Sequence, residues 1–416
     1  MSRMIALLDA TLACPIGGVS RGGVLIADDV IAATGLIDVP AGAETVDCKG
    51  LVLAPAIVDL GVFAIDVPAF HAGGIVRVGL MPDQSPVLDD PGVVQRAALI
   101  GRPGLWIHPI AAATRALAGK DLAEMAINRD AGERAVGTGA HWIADSGVMR
   151  KVLAYANDLG LTVIAHAEDG GITAGAVATA GETATRMGLS AAPSVAEALA
   201  IARDLMLAEE TGAALHLRTV TTAAGFDLVR AAKRRGVRVT CGITPAHLLL
   251  SDIAMSDFRT FAHISPPLRH EDDRRAALLA LADGTIDVLC SAHDPHGPEE
   301  KRLPFGDSAA GMAGAETLLA LGLGLVRDEH ITLDRLFALL AGNPARILGV
   351  DAGTLRIGAP ADLLVCDPQA PWQVNGDRMH AKAGNTPFDG LPVEGKVRRL
   401  FKGGTAVPLP AGATVA

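Results

Sequence analysis

Residues 51–63 read LVLAPAIVDLGVF, an unbroken apolar run entered through Lys49-Gly50. A Val/Ile/Leu-rich run without polar alternation fits a strand buried on both faces, which is the situation of strands in a parallel sheet. Downstream, similar short runs alternate with helical patterns. LWIHPI (105–110) comes before KDLAEMAINR, and VMRKVLAYANDLG before LTVIAHAED. PSVAEALAIARDLMLAEETG comes before AALHLRTV, AGFDLVRAAKRRG before VRVTCGIT, and DDRRAALLALADG before IDVLCSAHDPH. Repeated βα units imply an α/β fold with a parallel sheet. The simplest closure is a (β/α)8 TIM-like barrel, with chemistry at the strand C-termini.

Outside this region the pattern changes. Residues 1–50 carry short alternating runs separated by Gly and Pro, which predicts small antiparallel strands. Two further runs, GTLRIGAPADLLVCDP (353–368) and GKVRRLFKGG (395–404), answer them near the other end. The reading is a small β-sandwich built from both termini: 1–52, then the barrel over 53–345, then 346–416. At 416 residues, one large unit plus a smaller one is the expected division.

Half of the residues are hydrophobic and the mean hydropathy is +0.34, yet no stretch of 18 or more lacks charge. No membrane span is expected, and the N-terminus does not read as a signal peptide. Cys14, Cys48, Cys241, Cys290 and Cys366 show no CxxC spacing, which suits a reducing cytoplasm. A net charge of −10 without a basic cluster argues against nucleic acid as a partner.

One unit is abnormal. Only AIDVPAFHAGGI separates Phe63 from the next strand, VRVGLMP, and it contains Pro68 and Gly73-Gly74. Parallel crossovers normally need about a dozen residues and carry a helix. The helix is expected to be shortened or lost, leaving Ile57, Val76 and Val78 uncovered and Ala69 and Phe70 on a docking surface for another chain.

Seven motifs, in order, cover nearly the whole chain. They are MPDQSPVLDD (81–90), PIAAATRALAGKDLAEM (109–125), AHAED (165–169), ITPAHLLLSD (243–252), SPPLRHEDDR (265–274), EEKRLPFGDSAAGMAGAET (299–317) and NPARILG (343–349). GNTPFDGLPVEGKV (384–397) is the most discriminating addition. Together they resemble dihydroorotase, of the type found in multifunctional pyrimidine complexes, within the amidohydrolase superfamily. Residues 51–63 match that superfamily's first barrel strand, with Pro55, Ile57, Val58 and Asp59 kept.

The resemblance implies a set of metal ligands, and most of those positions hold other residues. The two histidines of the first strand fall on Gly61 and Phe63. The bridging carboxylate falls on Gly139, within AVGTGAHWIADSGVM (135–149). His166 matches a ligand. The next ligand position is Thr219, with His216 matching an earlier histidine. The Asp that serves as general base and ligand falls on Ala292, with Asp294 two residues late. On the substrate side, Ile65 replaces an arginine, and Asp83 and Ser265 replace asparagines. His296 and Arg269 remain as substrate-side remnants. No resident cofactor is therefore expected, because a catalytic zinc needs about three protein ligands.

Plainer readings stand beside these. His166 alone is a residual histidine, and His216 is a packed core histidine. His293, Asp294 and His296 form an alternative metal cluster, or merely a polar loop. Ser146, His141 and Asp145 lack the G-x-S-x-G elbow of a hydrolase triad. Three function classes remain. The leading one is a noncatalytic homologue that, by resemblance, serves as a structural partner of aspartate carbamoyltransferase in a hetero-complex or homo-oligomer. The others are a cyclic-amide hydrolase with a relocated metal and a small-molecule binding module.

Overall fold

Short, mostly apolar runs form eight parallel strands hydrogen-bonded in chain order: Ile57–Val62, Ile75–Leu80, Trp106–Ala112, Ala135–Gly137, Val163–Ala165, Leu215–Leu217, Val239–Ile243 and Val288–Leu289. This computed structural model describes residues 3–411. Helices Ser146–Asp158, Val195–Thr211, Ala223–Arg234 and Glu271–Ala282 return the chain between successive strands, where the apolar periodicity places them. The seam between the last and first strands is bridged by Asp59. Its carboxylate accepts from the Ser291 amide at 2.9 Å and from the Ser291 hydroxyl. The Phe63 amide donates to the His293 carbonyl at 2.9 Å beside it. Burial pushes the Asp59 carboxyl up, against the pull of the two Ser291 bonds.

The second sheet draws strands from both ends of the chain. Met4–Cys14 pairs antiparallel with Gly18–Ala27 but parallel with Glu44–Asp47 and Val52–Pro55, so the N-terminal part is not purely antiparallel. Val30–Gly35 extends it on one side, and Leu363–Gln373, Pro392–Lys402 and Thr405–Val407 extend it on the other through Val52–Pro55. Its core holds Ile5, Leu7, Ile26, Leu53, Leu363 and Phe401. Arg77 of the second barrel strand joins the two sheets through a 2.6 Å ion pair with Asp362.

The first crossover corrects the expectation of an open face. Val67–Ala72 forms a short helix with Pro68 in its first turn, where the missing amide costs no hydrogen bond. Ile57, Val76 and Val78 are fully buried, and so are Ala69 and Phe70. Leu364, Cys366, Val397 and Leu400 share one apolar cluster with them, so the second sheet covers what a longer helix would have covered. Gly74, at φ +80°, permits this approach. A Cβ there would lie 2.9 Å from Leu364 Cδ1. Ala69 and Phe70 therefore offer no docking surface.

Candidate functional site

A cavity of about 630 Å³ opens at the C-terminal ends of the barrel strands. Successive strand ends supply Phe63, Asp83, His141, Trp142, His166, Arg218, His247, Ala292 and Asp294 to its lining. This is the place where a parallel barrel concentrates its chemistry.

Arg218 dominates the floor. Side chains two residues apart on a strand share a face, so Arg218 follows His216 inward from the sixth strand. It is 3 % exposed. Its guanidinium carbon sits 4.9 Å from the centre of the Phe63 ring, and Nη2 lies 3.2 Å from His166 Nδ1. Its Cδ would be 3.5 Å from a Cβ placed on Gly61. Burial pulls the Arg218 guanidinium below its ordinary value, opposed by the more distant Cys290, Asp83, Asp294 and Glu168.

Behind His166 runs a buried chain of charges. His166 Nε2 lies 3.4 Å from Glu168, and Glu168 accepts from Arg269 at 2.6 Å. Arg269 reaches Glu197 at 3.4 Å and donates to Thr221 Oγ1 at 2.8 Å. Burial alone would push the Glu168 carboxyl up. His166 and Arg269 outweigh it and hold the group at about 2. Arg269, expected on the substrate side, lies outside the cavity lining and is spent on Glu168 and Glu197.

Of the ligand positions implied by resemblance, only His166 keeps a metal-binding side chain. Gly61 and Gly139 have left-handed φ of +94° and +78°, and a Cβ on Gly139 would lie 2.8 Å from Asp83 Oδ1. Phe63 and Ala292 present hydrocarbon to the cavity. Thr219 is buried outside the lining, and its hydroxyl has no partner. His166 does face the cavity.

The alternative cluster separates. Asp294 and His296 line the cavity 3.2 Å apart, and Asp294, ahead of Glu300, lifts the His296 imidazole above its usual range. His293 turns away, fully buried, edge-on to Phe70 at 5.2 Å and 3.5 Å from Asp66. Among the described residues, no group of three or more His, Cys, Asp or Glu side chains is placed to hold a metal ion.

Three other readings resolve locally. His216 is a core histidine, bonded to Thr240 Oγ1 at 2.9 Å and driven down to about 3 by burial. Asp145 caps the helix Ser146–Asp158 by accepting from the Val148 amide at 2.8 Å, so it has no part in a triad. Asn385 of the GNTPF motif braces the cavity rim. It accepts from the His296 amide and donates to the Gly311 carbonyl, each at 3.1 Å.

An amidohydrolase family model matches residues 108–407. The chain is 38 % identical over 385 residues to a dihydroorotase of Geobacter metallireducens, covering 89 % of this chain and 91 % of that one. A dihydroorotase of Pelotomaculum thermopropionicum is 38 % identical over 417 residues, at 95 % and 96 % coverage. The chain belongs to the dihydroorotase family of amidohydrolases. Among solved structures, the L-hydantoinase (dihydropyrimidinase) from Arthrobacter aurescens superposes with a TM-score of 0.86 at 23 % identity, covering 98 % of this chain and 96 % of that one. That likeness establishes a shared barrel-and-sandwich fold. Within the family frame, Arg218 is the cavity residue that motif reading passed over. The inward alternation from His216 was the available signal.

Proposed function

We infer that this chain is a noncatalytic dihydroorotase homologue of pyrimidine assembly that acts as a structural partner of aspartate carbamoyltransferase. The observation that carries the first part is the Arg218 guanidinium. It stands beside Gly61, Phe63 and His166, three positions that by resemblance hold metal ligands. A guanidinium stays protonated in proteins, and a fixed cation opposes a divalent ion at the same place. The donor set does not fit a hydrolytic zinc, which needs about three converging N, O or S ligands and an open water position. No hydrolytic step is therefore routed through a metal.

The partner is proposed from family resemblance. A barrel that keeps its core, its Asp59 seam and its Asn385 brace while lacking those donors is consistent with a retained shape. The curated relatives named dihydroorotase keep a second reading in view, a cyclic-amide hydrolase that uses Asp294 and His296. One experiment separates the two. Purified chain is assayed for dihydroorotate hydrolysis with added zinc, then co-expressed with aspartate carbamoyltransferase and sized by light scattering. No turnover together with a co-eluting complex is the expected result. Turnover that scales with zinc overturns the noncatalytic reading, and two separate peaks overturn the partner.

A further inference from the structure

Arg218 is a buried cation without a counter-ion at contact distance. Each carboxylate lining the cavity has at least one oxygen with a local partner. Glu168 is bonded to Arg269, Asp294 lies 3.2 Å from His296, and Asp83 Oδ1 accepts from the Ala140 amide at 2.8 Å. Among the described residues, the Arg218 guanidinium has one hydrogen-bonding neighbour, His166 Nδ1, and its Nε has no hydrogen-bond partner. No salt bridge reaches it among the described residues, although the side chain is 3 % exposed. An unpaired buried charge is expensive, and the cost falls when an opposite charge with matching hydrogen-bond geometry is supplied. The guanidinium faces a cavity of about 630 Å³, large enough for a small molecule.

We propose that this cavity binds a small organic monocarboxylate, with its carboxylate on the Arg218 guanidinium and its body against Phe63 and Trp142. A planar fork of donors matches a carboxylate in bidentate fashion. Phe63 already lies against the guanidinium, and Trp142, whose ring is covered on one face by Arg203 at 3.7 Å, is part of the cavity wall. Asp83 Oδ2 is buried without a partner, so a second negative charge on the ligand is disfavoured. The site is distinct from the position where family resemblance places the substrate arginine, which is Ile65 here. The proposal rests on the noncatalytic reading, because a metal at Gly61, Phe63 and His166 would displace Arg218.

Calorimetric titration of the full chain with benzoate, benzamide and inorganic phosphate at fixed ionic strength tests this, with zinc content measured on the same sample. Benzoate is expected to saturate a single site, benzamide and phosphate are not, and Arg218→Met is expected to weaken benzoate by about tenfold or more. Arg218→Lys, which keeps the charge and loses the fork, is the second variant and should also weaken it. No saturable benzoate binding, or undiminished binding by both variants, overturns the proposal. Preference for phosphate overturns the carboxylate class. Stoichiometric zinc would sink the noncatalytic reading instead, whatever benzoate does.

Discussion

At Gly61 the backbone itself opposes a histidine. Its φ of +94° lies where side chains are strained, and a Cβ built there would already be in van der Waals contact with Arg218 Cδ at 3.5 Å, leaving the rest of an imidazole to displace it. Gly139 is worse, with Asp83 Oδ1 at 2.8 Å and φ at +78°. Gly61→His with Phe63→His is therefore expected to lower the melting temperature and to yield no dihydroorotase turnover, because the bridge and the base are still missing. Measurable turnover would show that the metal positions are misassigned. A second residue carries a pH signature. Burial, with neither carboxyl oxygen bonded, pushes Glu133 up to about 8 from an ordinary 4.5. The folded state then holds a proton that the unfolded state has released, so this group's contribution to stability is full below 4.5 and declines as pH rises to about 8. Glu133→Gln should gain stability over the wild type progressively through that window, by on the order of a few kcal/mol at its top. Parallel denaturant curves at pH 5 and pH 8.5 check it, and an equal offset at both pH values would contradict it.

The element that decides the packing is the short helix Val67–Ala72. Phe70 is fully buried against His293, and the Lys382 amide donates to Asp66 at 2.6 Å just before the helix. Phe70→Ala should cost about 3–5 kcal/mol, the usual range for emptying a buried aromatic site. Urea unfolding measures this, and an unchanged midpoint would mean the helix is not anchored. The crossover also shows where sequence reading stops. Chain length and Pro68 made a shortened helix legible. They could not reveal that Leu364 and Val397, about three hundred residues away, cover the same apolar side chains. Local patterning found the barrel units because each carries its own apolar period. It missed Asp59–Ser291 and Arg218–His166 because those pairs form only once distant strand ends are brought together.

In the whole molecule, the barrel and the terminal sheet share one apolar cluster and the Arg77–Asp362 ion pair. Removing one partner of such a buried pair strands the other charge. Asp362→Ala is thus expected to destabilise both sheets together, by about 3–5 kcal/mol. Tryptophan fluorescence and far-UV circular dichroism should then report one coincident transition, and two separated transitions would show the sheets unfolding independently. Among the described residues no helix is long and apolar enough to cross a membrane. The central question is whether a cation of the chain's own, Arg218, has taken the place of a metal. The direct measurement is elemental analysis of the full chain after dialysis against zinc and then zinc-free buffer. Far less than one transition-metal ion per chain is expected. One or more tightly retained ions per chain would contradict it.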